Sequence, residues 1–189
     1  MDDIIKNEFE KSIQLIEDSK VLTTKISQAI ECIINCLKIG NKIIIFGNGG
    51  SAADAQHIAA ELIGRFKLER KSYPAIAIST DSSIITSLSN DYSFDIVFSR
   101  QCESLVLKDD VVIGISTSGN SENIRKGILT SKKIGAKTIG LLGNQGGEIA
   151  DLVDISIIVP SSITSKIQEV HRIIYHIICE QVEKKMSEN

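Results

Sequence analysis

Proline is nearly absent from this chain: it occurs only at Pro74 and Pro160, and each abuts a strand-like segment. No Pro/Gly-rich linker, low-complexity tract or internal repeat divides the 189 residues. The apolar runs are no longer than a strand, so no segment is expected to span a membrane. No long basic run is present and the net charge is -3, a balance that argues against a general nucleic-acid surface. No Cys-x-x-Cys pair occurs among Cys32, Cys36, Cys102 and Cys179. These cysteines read as free thiols of a reducing compartment. Cys32 and Cys36 lie one helical turn apart, a spacing that suits a shared metal, but no further ligand accompanies them. The start, Met1-Asp2-Asp3, is acidic where a secretory leader would be basic. A cytoplasmic protein is expected.

What is present describes one folded domain over residues 1–189. Hydrophobic residues make up 42% and charged residues 24%, a mixture that excludes disorder and supports a core without disulfides or metal. Apolar residues recur at helical spacing from Ile4, Ile5, Phe9, Ile13 and Ile16 through Leu22, Ile26, Ile30, Ile33, Ile34 and Leu37. Gly40-Asn41 ends that helical region. It either covers its own sheet or packs against a second subunit.

Beyond residue 41 the pattern alternates. Strand-like runs cover residues 42–46, 75–78, 111–115, 138–142 and 155–159. Helix-like stretches cover 51–63, 82–88, 94–105, 121–134 and 164–185. Continuous apolar strands alternating with helices predict an α/β fold with a five-stranded parallel sheet and right-handed crossovers. The helical region 1–40 is additional to an α/β core over 41–189.

Ligands of such sheets gather at the carboxyl ends of the strands. One strand end there is Phe46-Gly47-Asn48-Gly49-Gly50-Ser51. It offers close backbone approach and a following helix N-terminus for an anion, with Ser51 as the expected N-cap and Asp54 three residues on. No Gly-Lys-Ser/Thr follows, and Ala52 replaces the third glycine of a dinucleotide fingerprint. A tight structural turn is the alternative. A second end, residues 115–121, carries four hydroxyls: Ser116, Thr117, Ser118 and Ser121. Hydroxyls and turn N–H groups together surround a phosphate without lysine, although an ordinary capped turn favours the same residue types. A third, Gly143-Asn144-Gln145-Gly146-Gly147, reads as a flexible turn without chemistry.

Titratable groups fall on two helices. His57 and Glu61 are four apart and share a face, which Arg65 is expected to continue. Gln168, Arg172 and His176 form a similar stripe on the last helix. Spacing alone leaves open whether these are polar surface stripes or a site.

The stretches Gly47-Asn48-Gly49-Gly50-Ser51-Ala52-Ala53-Asp54-Ala55-Gln56-His57 and Glu61-Leu62-Ile63-Gly64-Arg65-Phe66 resemble the phosphoheptose isomerase family. So do Tyr73-Pro74-Ala75-Ile76-Ala77-Ile78, Asn90-Asp91-Tyr92, Phe98-Ser99-Arg100-Gln101 and Ile167-Gln168-Glu169-Val170-His171 followed by His176. The serine loop is similar to the sugar-phosphate loop of SIS domains generally. The resemblance implies a three-layer SIS fold, a homotetramer with sites built between subunits, and a sugar-phosphate substrate. The reaction it implies is ketose–aldose isomerisation of D-sedoheptulose 7-phosphate to D-glycero-D-manno-heptose 7-phosphate, supplying lipopolysaccharide or other surface glycans. It assigns Glu61 and His176 as acid/base pair, and Ser116, Thr117, Ser118 and Ser121 to the phosphate. Asn48, Gly49, Gly50, Ser51, Asn90, Asp91, Glu61 and Gln168 then line the substrate. His57, Glu61, Gln168 and His176 match a site for one zinc per subunit. The chain departs from the family in a short 161–166 segment, with Ser165 where an aspartate is expected.

Two other classes compete. A non-catalytic SIS regulator binding a replication initiator would keep the serine loop but has no need of Glu61 and His176. A nucleotide-binding Rossmann domain needs an acidic residue after its second strand, where Ser79-Thr80 stand instead.

Overall fold

The computed structural model describes residues 1–188. Isoleucine and phenylalanine fill β1 (Ile43–Gly47), and all five residues are buried. β-branched side chains suit a pleated strand. Ile43 and Ile45 enter the core on one face, and Ile44 and Phe46 enter it on the other. A strand covered on both faces belongs inside a parallel sheet. The remaining strands are β2 (Ala75–Ala77), β3 (Val111–Ser116), β4 (Lys137–Leu142) and β5 (Ile155–Ile158). They stand in the order β2-β1-β3-β4-β5, and every neighbouring pair is parallel. The five-stranded parallel sheet expected from the apolar runs is therefore present.

Three helices, α2 (Thr23–Lys38), α3 (Gly50–Ile63) and α7 (Thr164–Ser187), share the core on one face. α5 (Val97–Leu105) and α6 (Glu122–Ile134) share the core on the other, where Phe46 stacks on Phe98 at 4.9 Å. The result is the three-layer SIS fold. α4 (Ser82–Asp91) lies against α5 and sends Leu88 into this second core.

The two halves of the leading helical region differ. α2 covers its own sheet: Ile33 and Ile34 are buried, each contributing roughly 1.5–3 kcal/mol by leaving water. α1 (Asp2–Asp18) has no buried residue. Its apolar stripe stands in solvent, with Ile4, Phe9 and Ile13 at 65%, 67% and 59% exposure.

Several boundaries differ from expectation. The 1–40 helix is broken by a 3₁₀ turn, Ser19–Leu22. The helix expected over 94–105 begins as a 3₁₀ turn, Phe94–Ile96, where the Ser93 hydroxyl accepts from Asp95 N–H. Ser51 is not the cap of α3. Gly49 takes that position at φ +55, and Ser51 is buried inside the first turn.

The strand order reverses between β1 and β3: from β1 the chain moves outward to β2, and from β3 it moves the other way to β4 and β5. The crevice outside their carboxyl ends is where such sheets bind ligands. The glycine loop leaves β1 there and the serine loop leaves β3.

Candidate active site

The glycine loop is shaped by close approach. A Cβ on Gly47 would lie 2.6 Å from the Ser51 carbonyl oxygen, and one on Gly50 would lie 2.5 Å from Gln168 Nε2. Gly49 has the left-handed φ that L-residues avoid. Asn48 joins this loop to the start of α6 through a reciprocal amide pair with Asn123, at 2.9 and 3.0 Å.

In the serine loop the hydroxyls turn toward one another. Ser116 Oγ stands 3.1 Å from Ser121 Oγ and 3.4 Å from Ser118 Oγ, and accepts from Gly119 N–H. Ser118 Oγ also accepts from Asn120 N–H. The loop read as chemistry-free supports this one: Asn144 Nδ2 donates to the Thr117 carbonyl at 2.9 Å. Gly119, at φ +69, packs so closely on Gly146 that a side chain would collide with its carbonyl.

The two loops enclose a hollow of about 280 Å³. Asn48, Gly49, Gly50 and Ser51 line one side, and Ser116, Thr117 and Ser121 the other, with Gln168 of α7 between. No lysine or arginine is among the lining residues. Hydroxyls, an amide and the N-terminus of α3 make it a neutral oxyanion cradle. Ser118 is not among the lining side chains.

Farther along the same helices a titratable cluster forms. His57 Nε2 is 2.9 Å from Glu61 Oε1 and 3.4 Å from His176 Nε2. The candidate ligand atoms of the three residues lie within 4.8 Å of one another. Phe66 and Tyr175 wall the cluster, with ring centroids 5.5 and 4.8 Å from that of His176. Burial holds the His176 imidazole below its ordinary value; the His57 and Arg172 charges push the same way, against Glu61. A neutral imidazole accepts a proton or binds a metal.

The donor set fits a divalent cation. A single hydrogen on His57 Nε2 cannot serve both Glu61 and His176, whereas a cation between two imidazoles and a carboxylate satisfies all three. The amide of Gln168, the fourth expected ligand, lies against Gly50. Gln168 also lines a second groove, of about 490 Å³, with Arg172 and His176.

Arg65, Asn90 and Asp91 stand apart from both hollows within the chain. Arg65 does not continue the His57–Glu61 face, because α3 ends at Ile63 and Arg65 turns outward to Glu69 at 3.5 Å. Asn90 and Asp91 end α4, pair with each other at 2.9 Å, and line neither hollow. α4 belongs to the layer opposite α7, which separates them from Gln168 and His176. The pairing partner Asn123 and the wall residue Tyr175 were not singled out from the sequence. Both are polar residues buried on otherwise amphipathic helices, a weak signal for a site.

This fold and paired-loop site are those of a SIS domain, and the SIS domain family pattern matches residues 8–143. Phosphoheptose isomerase of Geobacter sulfurreducens is 52% identical over 165 residues, covering 87% of each chain. The structure of phosphoheptose isomerase from Neisseria gonorrhoeae superposes with a TM-score of 0.92 at 38% identity, over 97% of this chain and 98% of that one. A phosphoheptose isomerase structure from Francisella tularensis gives 0.93 at 36% identity, over 96% and 97%. The chain belongs to the phosphoheptose isomerase family and is an isomerase. The regulator reading gains no support from these relatives.

Proposed function

We propose that this chain interconverts D-sedoheptulose 7-phosphate and D-glycero-D-manno-heptose 7-phosphate through an enediol, for heptose biosynthesis. The observation that carries the reading is the His57–Glu61–His176 cluster, one stretch of α3 and α7 away from the hydroxyl-lined cradle. The cradle takes the phosphate on Ser116, Thr117 and Ser121 and on the N–H groups at the start of α3. Ser118 braces Ser116 and the turn rather than reaching the ligand. The carbonyl end of the sugar then reaches the cluster.

Isomerisation moves a proton from C1 to C2 and exchanges hydroxyl and carbonyl. Glu61 meets His57 through Oε1, which leaves Oε2 to take the C1 proton and return it at C2. His176, held neutral, passes a proton between the two oxygens. Phe66 and Tyr175 limit water at the enediol. His57, Glu61 and His176 would hold a zinc ion, with Gln168 as the remaining candidate. When bound, zinc supplies Lewis-acid polarisation of the carbonyl.

The homotetramer of this reading is supported by the bare apolar stripe of α1. Asn90 and Asp91, exposed and away from their own chain's hollow, are assigned to the sugar site of a neighbouring subunit. Four free cysteines and a phosphorylated substrate suit the cytoplasm. No helix among the described residues is long and apolar enough to cross a membrane.

The test is turnover of sedoheptulose 7-phosphate by the purified protein, as isolated, after chelation, and after zinc is restored. Aldoheptose phosphate should form, with activity lost on chelation and regained with zinc. No product in any arm from folded protein would overturn the assignment.

A further inference from the structure

Helices α3 and α7 run side by side in the same direction and meet at three levels. At the first, the Gln168 amide lies against Gly50. At the third, His176 faces His57 and Glu61. At the second level only the Tyr175 ring has been given a part so far; its hydroxyl, Asp54 and Arg172 have none. There Arg172 Nη2 donates to Asp54 Oδ1 at 3.3 Å, and Arg172 Nε donates to the Tyr175 hydroxyl at 3.1 Å. The same hydroxyl donates to Asp54 Oδ1 at 3.3 Å.

Burial divides this level in two. Asp54 and Tyr175 are 2% and 1% exposed, whereas the Arg172 side chain is 59% exposed. A carboxylate and a phenol are thus fixed below, and they hold a guanidinium whose outer edge opens into the groove shared with Gln168 and His176. Arg172 uses two of its five N–H donors on these anchors. Among the described residues no carboxylate other than Asp54 pairs with it.

Eight residues of helix separate Gln168 from His176, a rise of about 12 Å. An extended seven-carbon ketose phosphate is about 10 Å from phosphorus to the terminal carbon. With its phosphate at the first level and its carbonyl at the third, its middle carbons lie over Arg172.

We propose that Arg172 is a substrate-contacting residue that donates hydrogen bonds to the mid-chain oxygens of the sugar phosphate, with Asp54 and Tyr175 as its positioning residues. The proposal rests on the sugar-phosphate isomerase reading. Arginine suits the role because its planar fork is held from one side and still donates from the other.

The experiment compares wild type with Arg172→Met, Arg172→Lys and Tyr175→Phe. It measures calorimetric binding and steady-state turnover of sedoheptulose 7-phosphate, alongside a five-carbon ketose phosphate. Arg172→Met should raise Kd and KM about tenfold while kcat stays within about threefold. Its exposed side chain should leave Tm nearly unchanged. The loss should be smaller for the five-carbon sugar, which does not span all three levels. Tyr175→Phe should shift KM the same way by about threefold, and Arg172→Lys should recover part of the loss. An unchanged KM in Arg172→Met, or a fall in kcat alone, overturns the proposal and leaves the isomerase reading intact. Wild-type protein that neither binds nor converts sedoheptulose 7-phosphate overturns both.

Discussion

Arg70 and Glu183 form an ion pair at 3.2 Å with side chains only 5% and 2% exposed. The Glu183 carboxylate also accepts from the N–H groups of Phe66, Lys67 and Leu68, at 2.9, 2.7 and 2.9 Å. Arg70 donates in turn to the carbonyls of Glu61, Leu62, Gly64 and Lys71. The pair therefore ties the chain leaving α3 to the end of α7. It keeps Phe66 against His176.

Breaking this clamp should cost stability. Glu183→Gln leaves Arg70 buried without its charge partner, a loss of roughly 3 kcal/mol or more. At about 3 °C per kcal/mol for a chain of this size, calorimetry should show Tm lower by roughly 10 °C. The pH dependence has a definite sign. Burial alone would raise the Glu183 carboxyl, but the three N–H donors and Arg70 outweigh it and hold it below the ordinary 4.5. Its stabilisation is fully present above that value and is lost as pH falls through the depressed folded value. The Tm difference between wild type and Glu183→Gln should narrow on acidification below about pH 4.5. A difference that stays constant would remove Glu183 from the acid response.

Much of this architecture was legible because apolar periodicity reports burial directly. The all-apolar β1 and the alternation beyond it required a sheet covered on both faces. The hydroxyls around Ser116 and the His57–Glu61 spacing pointed to the two ends of the candidate site, although spacing alone left a polar surface stripe open. What stayed hidden depends on tertiary approach. The Asn48–Asn123 pair joins residues 75 apart, and no local pattern announces it. Ser51 looked like a cap because its residue type favours that position, but a glycine at positive φ took the turn. Arg65 kept helical spacing with Glu61 although the helix had already ended.

Gly50→Ala should separate fold from function. Gly50 lies in helical backbone, where alanine is favoured by up to about 1 kcal/mol. The added Cβ would stand 2.5 Å from Gln168 Nε2, and that flexible amide can swing aside without disturbing the core. Tm should therefore hold or rise, while KM for the sugar phosphate rises about tenfold as Gln168 leaves the cradle. Gly49→Ala is the contrasting case, since φ +55 is strained for alanine, and there Tm should fall by several degrees. Unchanged kinetics in Gly50→Ala would show that Gln168 has no part in binding.

Phe9→Glu tests the bare face of α1. The side chain is 67% exposed, so a monomer should fold around the glutamate unchanged. A charge placed on a buried subunit interface is costly. Sedimentation velocity should therefore show a smaller species than wild type, with far-UV circular dichroism preserved. Equal sedimentation of the two proteins would mean that α1 lies outside the assembly.

Glu61→Gln addresses the proton transfer itself. The substitution keeps the shape of the side chain and its reach to His57, 2.9 Å away, but removes the base. General-base loss lowers turnover by about 10²–10⁴-fold, and kcat should fall in that range with KM changed little. Turnover in D₂O provides the independent readout. Wild type should place deuterium at C2 of the aldoheptose, because the proton taken from C1 exchanges with solvent on the carboxylate before it is returned. Glu61→Gln should lose isomerisation and deuterium incorporation together. Metal content measured on the same samples identifies the cause: a variant that keeps its zinc and still loses exchange has lost the base, whereas one that loses both has lost a ligand. Exchange that persists at the wild-type rate would move the base elsewhere.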